Sequence, residues 1–157
     1  MRELTRSDRS SIVKILSNIE SFHADDRAVA LELIDIILND PNQKDYAALV
    51  AEDEAGQVTG YICFGPTPLT EGTYDIYWIG VDPTFAGKGV GSQLLASTED
   101  RLRQQNGRMI IIETSSSPEY DLTRRFYEKN GYILAERIKD FFKEGEDRVT
   151  FIKRLRG

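Results

Sequence analysis

The stretch Val81-Asp82-Pro83-Thr84-Phe85-Ala86-Gly87-Lys88-Gly89-Val90-Gly91 narrows what this chain can fold into more than any other. It follows Thr73–Val81, whose aromatic and β-branched residues read as a long strand. It leads into Val90–Gln104, where Val90, Leu94, Leu95, Thr98 and Leu102 return to one side of a helix. Glycines between a strand and a helix let the backbone turn sharply and approach a ligand closely. The unbonded N–H groups at the helix start point outward, and the helix dipole favours an anion there. A phosphate or pyrophosphate is the natural guest.

Two better-known phosphate loops do not fit. A nucleoside-triphosphate loop closes its glycine run with Gly-Lys-Ser or Gly-Lys-Thr, and here Lys88 is followed by Gly89. A dinucleotide fold spaces its glycines Gly-x-Gly-x-x-Gly after the first strand of a βαβ unit. Here the spacing is Gly-x-Gly-x-Gly, in mid-chain, after a hairpin.

The flanking sequence orders the remaining elements. A short strand is expected at Arg2–Thr5, then a helix capped by Ser7 that carries Ile12, Val13, Ile15, Leu16 and Ile19. A second helix runs from about Asp26 to Leu38. Its polar residues Glu32, Asp35 and Asn39 form one narrow stripe, so it is buried on most sides or offers a partner or substrate surface. Tyr46–Glu52 and Val58–Gly65 form a hairpin around Gly56. Arg108–Thr114 holds Met109-Ile110-Ile111-Ile112, a run expected of a central strand covered on both faces. Ser117-Pro118-Glu119 opens a helix containing Leu122, Phe126 and Tyr127, which Asn130-Gly131 ends. Tyr132–Phe142 and Arg148–Leu155 close the chain as a hairpin. The class is a mixed α/β or α+β sheet covered by helices, and 157 residues suit a single domain over residues 1–157.

Composition removes several functions. A net charge of −6 opposes nucleic-acid binding, which needs a basic surface. No stretch is apolar for long enough to span a bilayer, and the N-terminus lacks a secretory signal, so a cytoplasmic protein without a membrane partner is expected. The lone Cys63 lies in an apolar run and reads as a small buried hydrophobe. The lone His23 has no companions for a metal site or a nucleophilic triad, and no metal is expected.

Val81-Asp82-Pro83 with Gly87-Lys88-Gly89-Val90-Gly91-Ser92-Gln93-Leu94-Leu95 resembles the acetyl-CoA loop of the GNAT superfamily of N-acetyltransferases. The resemblance extends along nearly the whole chain. Leu4-Thr5-Arg6-Ser7-Asp8 is similar to the family's opening, and Val50 through Tyr61 to its hairpin. Phe126-Tyr127-Glu128-Lys129-Asn130-Gly131-Tyr132 resembles its second signature, in which a tyrosine lies near the thioester sulfur. The resemblance implies a mostly antiparallel sheet of about seven strands with about four helices, its fourth and fifth strands splayed to admit acetyl-CoA. The pyrophosphate would lie on the N–H groups of Gly87, Lys88, Gly89, Val90, Gly91 and Ser92. The pantetheine arm would pair with backbone near Ile79 and Val81, and an N–H near Val81 would serve the oxyanion. Two positions depart from the pattern: Ala86 stands where the family often has Arg or Gln, and Tyr120 near where it often has Asn.

Acetyl transfer to an amine needs a base for the ammonium proton, stabilisation of the developing oxyanion, and a proton or hydrogen bond for the leaving thiolate. Tyr127 is the expected donor to the thiolate. Asp75 and Glu113 are both candidate bases, and the residues do not decide between them. Asp140, Phe141 and Phe142 are candidates for holding a cationic amine with an apolar body, opposite the helix Asp26–Leu38. The expected acceptor is a small-molecule amine. Transfer to a peptide amine and a non-catalytic acyl-CoA-binding module are the competing readings, and a homodimer is left open.

Overall fold

A computed structural model describes residues 1–156. Its strands are β1 (Arg2–Glu3), β2 (Ala47–Glu52), β3 (Val58–Pro66), β4 (Thr73–Val81), β5 (Met109–Ser115), β6 (Ile133–Lys143) and β7 (Glu146–Arg154). Its α-helices are α1 (Arg9–Asn18), α2 (Ala24–Asn39), α3 (Val90–Gln104) and α4 (Asp121–Lys129). Single 3-10 turns at Arg6–Asp8, Pro83–Phe85 and Pro118–Tyr120 introduce α1, the glycine loop and α4. The seven strands form one sheet in the order β1-β2-β3-β4-β5-β7-β6. Every neighbouring pair is antiparallel except β4 and β5, which run parallel. No described helix is long and apolar enough to cross a membrane.

The two faces of the sheet carry separate cores. On one face α3 and α4 bury Leu94, Leu95, Leu102 and Tyr127 against Ile62, Ile76, Ile110, Ile112 and Phe151. On the other, α1 and α2 bury Ile12, Ile15, Leu16, Ala30 and Ile34 against Val50, Tyr61 and Cys63. This second core draws on β2, β3 and β4 but on no residue of β5, β6 or β7. Half of that face therefore has no helix over it.

A bulge controls which β4 side chains face which core. Cys63 pairs with Trp78 and Phe64 with Ile76, so Tyr77 is the extra residue. Below it Tyr74 and Ile76 face the α3–α4 core, and above it so do Ile79 and Val81. Tyr77 and Trp78 both pack on the α1–α2 side, with Trp78 edge-on to Phe22 at 5.5 Å.

Three local expectations change. The N-terminal helix is introduced by Thr5 and Asp8 rather than capped by Ser7: the Thr5 N–H donates to Asp8 Oδ2 at 2.8 Å, and Arg2 grips the same carboxylate at 2.8 and 2.9 Å. β5 is central in the sheet but fully covered on one face only. Ile110 and Ile112 are buried, whereas Met109 and Ile111 are half-buried and Glu113 is exposed. α4 leaves Leu122 in solvent, because its buried stripe runs through Tyr127 with Phe126 beside it.

Candidate functional site

β4 and β5 pair only from Thr73 with Met109 to Ile76 with Ile112. β4 then continues to Val81 and β5 to Ser115 without further pairing to each other. The upper part of β4 keeps β3 on one side, so its other backbone edge is open along Tyr77–Val81. A wedge-shaped gap in the middle of the sheet results, and the loop 82–89 lies at the end of β4 that borders it.

The loop is built around glycines in left-handed backbone conformation. Gly87 has φ +76° and Gly89 φ +81°, and a Cβ at either would meet no atom within 4 Å. Open space beside a strained φ means these residues are needed for backbone shape and approach, not for packing. Asp82 fixes the entry, its Oδ1 accepting from the Thr84 N–H and hydroxyl at 3.0 Å each. Among the described residues, the N–H groups of Gly87, Lys88, Gly89, Val90, Gly91 and Ser92 donate to no backbone carbonyl. Gln93 is the first to do so, to Gly89 at 3.0 Å. Consecutive free donors at a helix start suit a polyanion. A Cβ on Gly91 would come within 3.0 Å of the Phe126 ring, so Gly91 lets α3 and α4 approach each other beside the gap. Lys88 lies over the Phe85 ring at 5.3 Å, and Ala86 contributes no cation.

Tyr127 sits on the α3–α4 side of the gap, with ring centroids of Phe126, Phe151 and Tyr132 at 5.6, 5.9 and 6.1 Å. No described residue hydrogen-bonds its hydroxyl. Burial, and then the neighbouring Tyr120, push the Tyr127 pKa above the usual phenol range, so the group keeps its proton at neutral pH. Tyr120, which stands near where the family often has Asn, ties two elements together. Its hydroxyl donates to the Ser21 carbonyl at 3.1 Å, tying the turn before α4 to the α1–α2 link. Burial and the charges of Asp26, Glu119 and Glu146 push its pKa up to about 12. His23 adds a second tie, 3.3 Å from Glu119.

The two carboxylate candidates occupy different places. Asp75 is in the closed half of the sheet, paired with Gly65 and Ile111, and accepts from the Thr67 hydroxyl at 2.7 Å. Burial first and Asp75 second push the nearby Tyr77 up to about 12. Glu113 is the first β5 residue beyond the last pair with β4. It points away from the α3–α4 core, half exposed, with Arg148 at 3.8 Å.

The expected acceptor wall is only partly assembled. α2 packs against α1 and β2, and the α1–α2 link around Ser21 meets Tyr120 in the turn before α4. Asp140 is a turn-former: at φ +56° its N–H donates to Asp147 at 2.9 Å, while its Oδ1 accepts from the Gly145 N–H at 2.8 Å. Phe141 and Phe142 stack edge-on at 5.0 Å and are about half exposed. Phe141 covers the Arg148 guanidinium at 4.6 Å. Arg148 and Thr150, missed in the sequence, come to this face because β7 alternates: Val149 and Phe151 enter the core and their neighbours face the other way. Cys63 is fully buried, as expected of a small hydrophobe in an apolar run, and burial pushes its thiol up to about 12. Among the described residues no group of three His, Cys, Asp or Glu side chains could hold a metal.

Comparison with known proteins bears on this geometry. The family model of the acetyltransferase (GNAT) domain matches residues 44–134. A crystal structure of an acetyltransferase of the GNAT family from Desulfovibrio desulfuricans superposes with a TM-score of 0.92 at 33% identity, covering 99% of this chain and 98% of the other. The chain is 25% identical to the S-(2-succino)cysteine N-acetyltransferase of Bacillus subtilis, over 83% of its own length and 75% of the relative's. It is 29% identical to the L-2,4-diaminobutyric acid acetyltransferase of Streptomyces coelicolor, over 60% of its own length and 59% of the relative's.

Proposed function

The chain belongs to the GNAT acetyltransferase family, and from that premise we propose that it moves an acetyl group from acetyl-CoA to the primary amine of a small molecule, by direct attack in a ternary complex. The observation that carries the reading is the β4–β5 gap with consecutive unbonded N–H groups beside it. Those donors, from Gly87 to Ser92, would hold the pyrophosphate, and the open edge near Ile79 and Val81 would pair with the pantetheine amides. The two curated relatives act on small amino acids, which supports a small amine as acceptor.

Acetyl-CoA supplies an activated acetyl thioester: a C–N bond forms, the C–S bond breaks, the sulfur leaves as a thiolate, and the amine's protons pass to the base. The protein's part is to position groups and manage protons. Tyr127 keeps its proton because its surroundings disfavour phenolate. A thiolate with a pKa of about 8.5 does not take that proton outright. Tyr127 therefore stabilises the leaving sulfur as a hydrogen-bond donor. An N–H near Val81, on the open β4 edge, is the assigned oxyanion donor. Glu113 is the better placed base, since it lies at the gap on the face opposite Tyr127, and it would take the ammonium proton through water. Asp75 serves to shape β4 and its neighbour Tyr77.

Titrating acetyl-CoA into the purified protein by calorimetry tests the reading. Saturable binding is expected. Gly89→Ala should weaken it through backbone strain, and Gly89→Glu should abolish it, because a carboxylate then faces the phosphates. Undiminished binding in Gly89→Glu would remove the loop from the cofactor site. Binding without turnover of any amine, small or peptidic, would leave an acyl-CoA-binding module instead.

A further inference from the structure

The half of the sheet without a helix over it carries two buried polar atoms with no hydrogen-bond partner among the described residues. On β7, Thr150 is only 4% exposed, and its hydroxyl has no hydrogen-bond partner among the described residues. Two residues earlier on the same face, the Arg148 Nε–H is also buried and unpartnered. The guanidinium's other nitrogens are loosely occupied: Nη2 reaches Glu136 at 3.1 Å and Nη1 lies 3.8 Å from Glu113. Both acids are about half exposed, so water competes for them and the pairs are weak. A buried donor left unpaired is costly in a folded protein, and two side by side on one strand face mark a place for a ligand.

The chemistry of the ligand follows from the donors. Arg148 Nε can only donate, so the atom it meets must be an acceptor. The Thr150 hydroxyl can donate to the same group. The guanidinium charge favours an anion at that atom, and the carboxylates of Glu113 and Glu136, across from Thr150 on β5 and β6, suit an ammonium on the same ligand. A carboxylate meets all three conditions. The register places Glu113 directly across from Thr150, and Glu113 borders the β4–β5 gap. Directly opposed residues of an antiparallel pair have Cβ atoms about 5 Å apart, so Glu113 and Thr150 are close enough for the amine and the carboxylate of one amino acid to reach both.

We propose that the acceptor amine carries a carboxylate, held by Thr150 and by Arg148, which lies beneath Phe141, while the amine is directed to Glu113. The proposal rests on the acetyl-transfer reading above. Phe141, half exposed and packed on the guanidinium, is the movable cover through which the carboxylate enters. Arg148 and Thr150 are specificity residues; neither takes part in proton transfer.

The test compares matched acceptors that differ only in the carboxylate: L-2,4-diaminobutyrate with 1,3-diaminopropane, L-ornithine with putrescine, and L-methionine with 3-(methylthio)propylamine. The full chain should show at least about a tenfold higher kcat/KM for the carboxylate member of a pair, a typical gain from a charged hydrogen-bonded contact. Thr150→Val and Arg148→Met should each bring that ratio toward one, chiefly through the acceptor KM, and Thr150→Ser should restore it. Melting temperatures of the variants establish that they are folded. Equal turnover within every pair, or a preference that survives both substitutions, overturns the carboxylate assignment and leaves amine acetylation standing. Acetyl-CoA binding with no turnover of any acceptor overturns both.

Discussion

Tyr127 and Asp8 illustrate how a single side chain's surroundings set its chemistry. Tyr127→Phe removes a hydroxyl that no described residue bonds and leaves all three ring contacts in place. Stability should change by less than about 1 kcal/mol, while kcat for acetyl transfer should fall about 100-fold. Full turnover in a folded Tyr127→Phe protein would remove it from the mechanism. Asp8 is held at about 2 by the Arg2 hydrogen bonds, against the cost of its burial and with help from Thr5. A depressed carboxylate stabilises the fold above its ordinary pKa and loses that contribution as pH falls through the depressed one. Asp8→Asn should therefore cost about 2 kcal/mol at neutral pH, and the difference from wild type should shrink between about pH 4 and pH 2 in urea titrations. Part of this was legible in advance. Cys63 announced its burial by its apolar neighbours, and the Thr5-x-x-Asp8 spacing was a usable capping signal. Ser7 competes with Thr5 because sequence alone cannot say which of two nearby hydroxyls has the geometry to cap.

At the scale of elements, strands and helices followed their periodicity closely: β4 and α3 have the bounds that their patterns imply. The β4 bulge was not legible, because an extra residue in one strand is fixed by register against its partner and leaves no mark in local composition. It matters to the site, since it sends Tyr77 and Trp78 to the same side. A polar network across elements was equally hidden. Glu99 of α3 accepts from Tyr132 and from Lys153 of β7 at 2.9 Å each, and Lys153 also reaches the carbonyl of Asn130 at 2.9 Å. These contacts join α3 to the C-terminal ends of α4 and β7. Glu99 is nearly buried, so removing it strands two donors. Glu99→Ala should destabilise by about 3 kcal/mol, seen as a lower urea midpoint with an unchanged slope. In the Glu99→Leu, Lys153→Met double variant the loss should be smaller than the sum of the singles. Strict additivity would mean the network contributes no coupling.

Over the whole molecule the question is whether two cores behave as one domain. They are separate layers, but they share strands: in β3, Ile62 and Phe64 enter one while Tyr61 and Cys63 enter the other, and β2 divides Leu49 and Ala51 from Ala48 and Val50 in the same way. Neither layer can lose its sheet face without exposing the other, so unfolding should be a single cooperative transition. The sequence carries a built-in reporter. Trp78 is the only tryptophan, and it stands on the α1–α2 side against Phe22, whereas far-ultraviolet circular dichroism reads every helix and strand. Urea transitions followed by Trp78 fluorescence and by circular dichroism should superimpose. Saturating acetyl-CoA should move both curves to higher urea by the same amount, because ligand binding at the gap draws on elements of both layers. A fluorescence midpoint displaced from the dichroism midpoint would show that the α1–α2 layer opens on its own. The single-domain reading would then give way to a stable α3–α4 half carrying the glycine loop and a separable cover over β2 to β4.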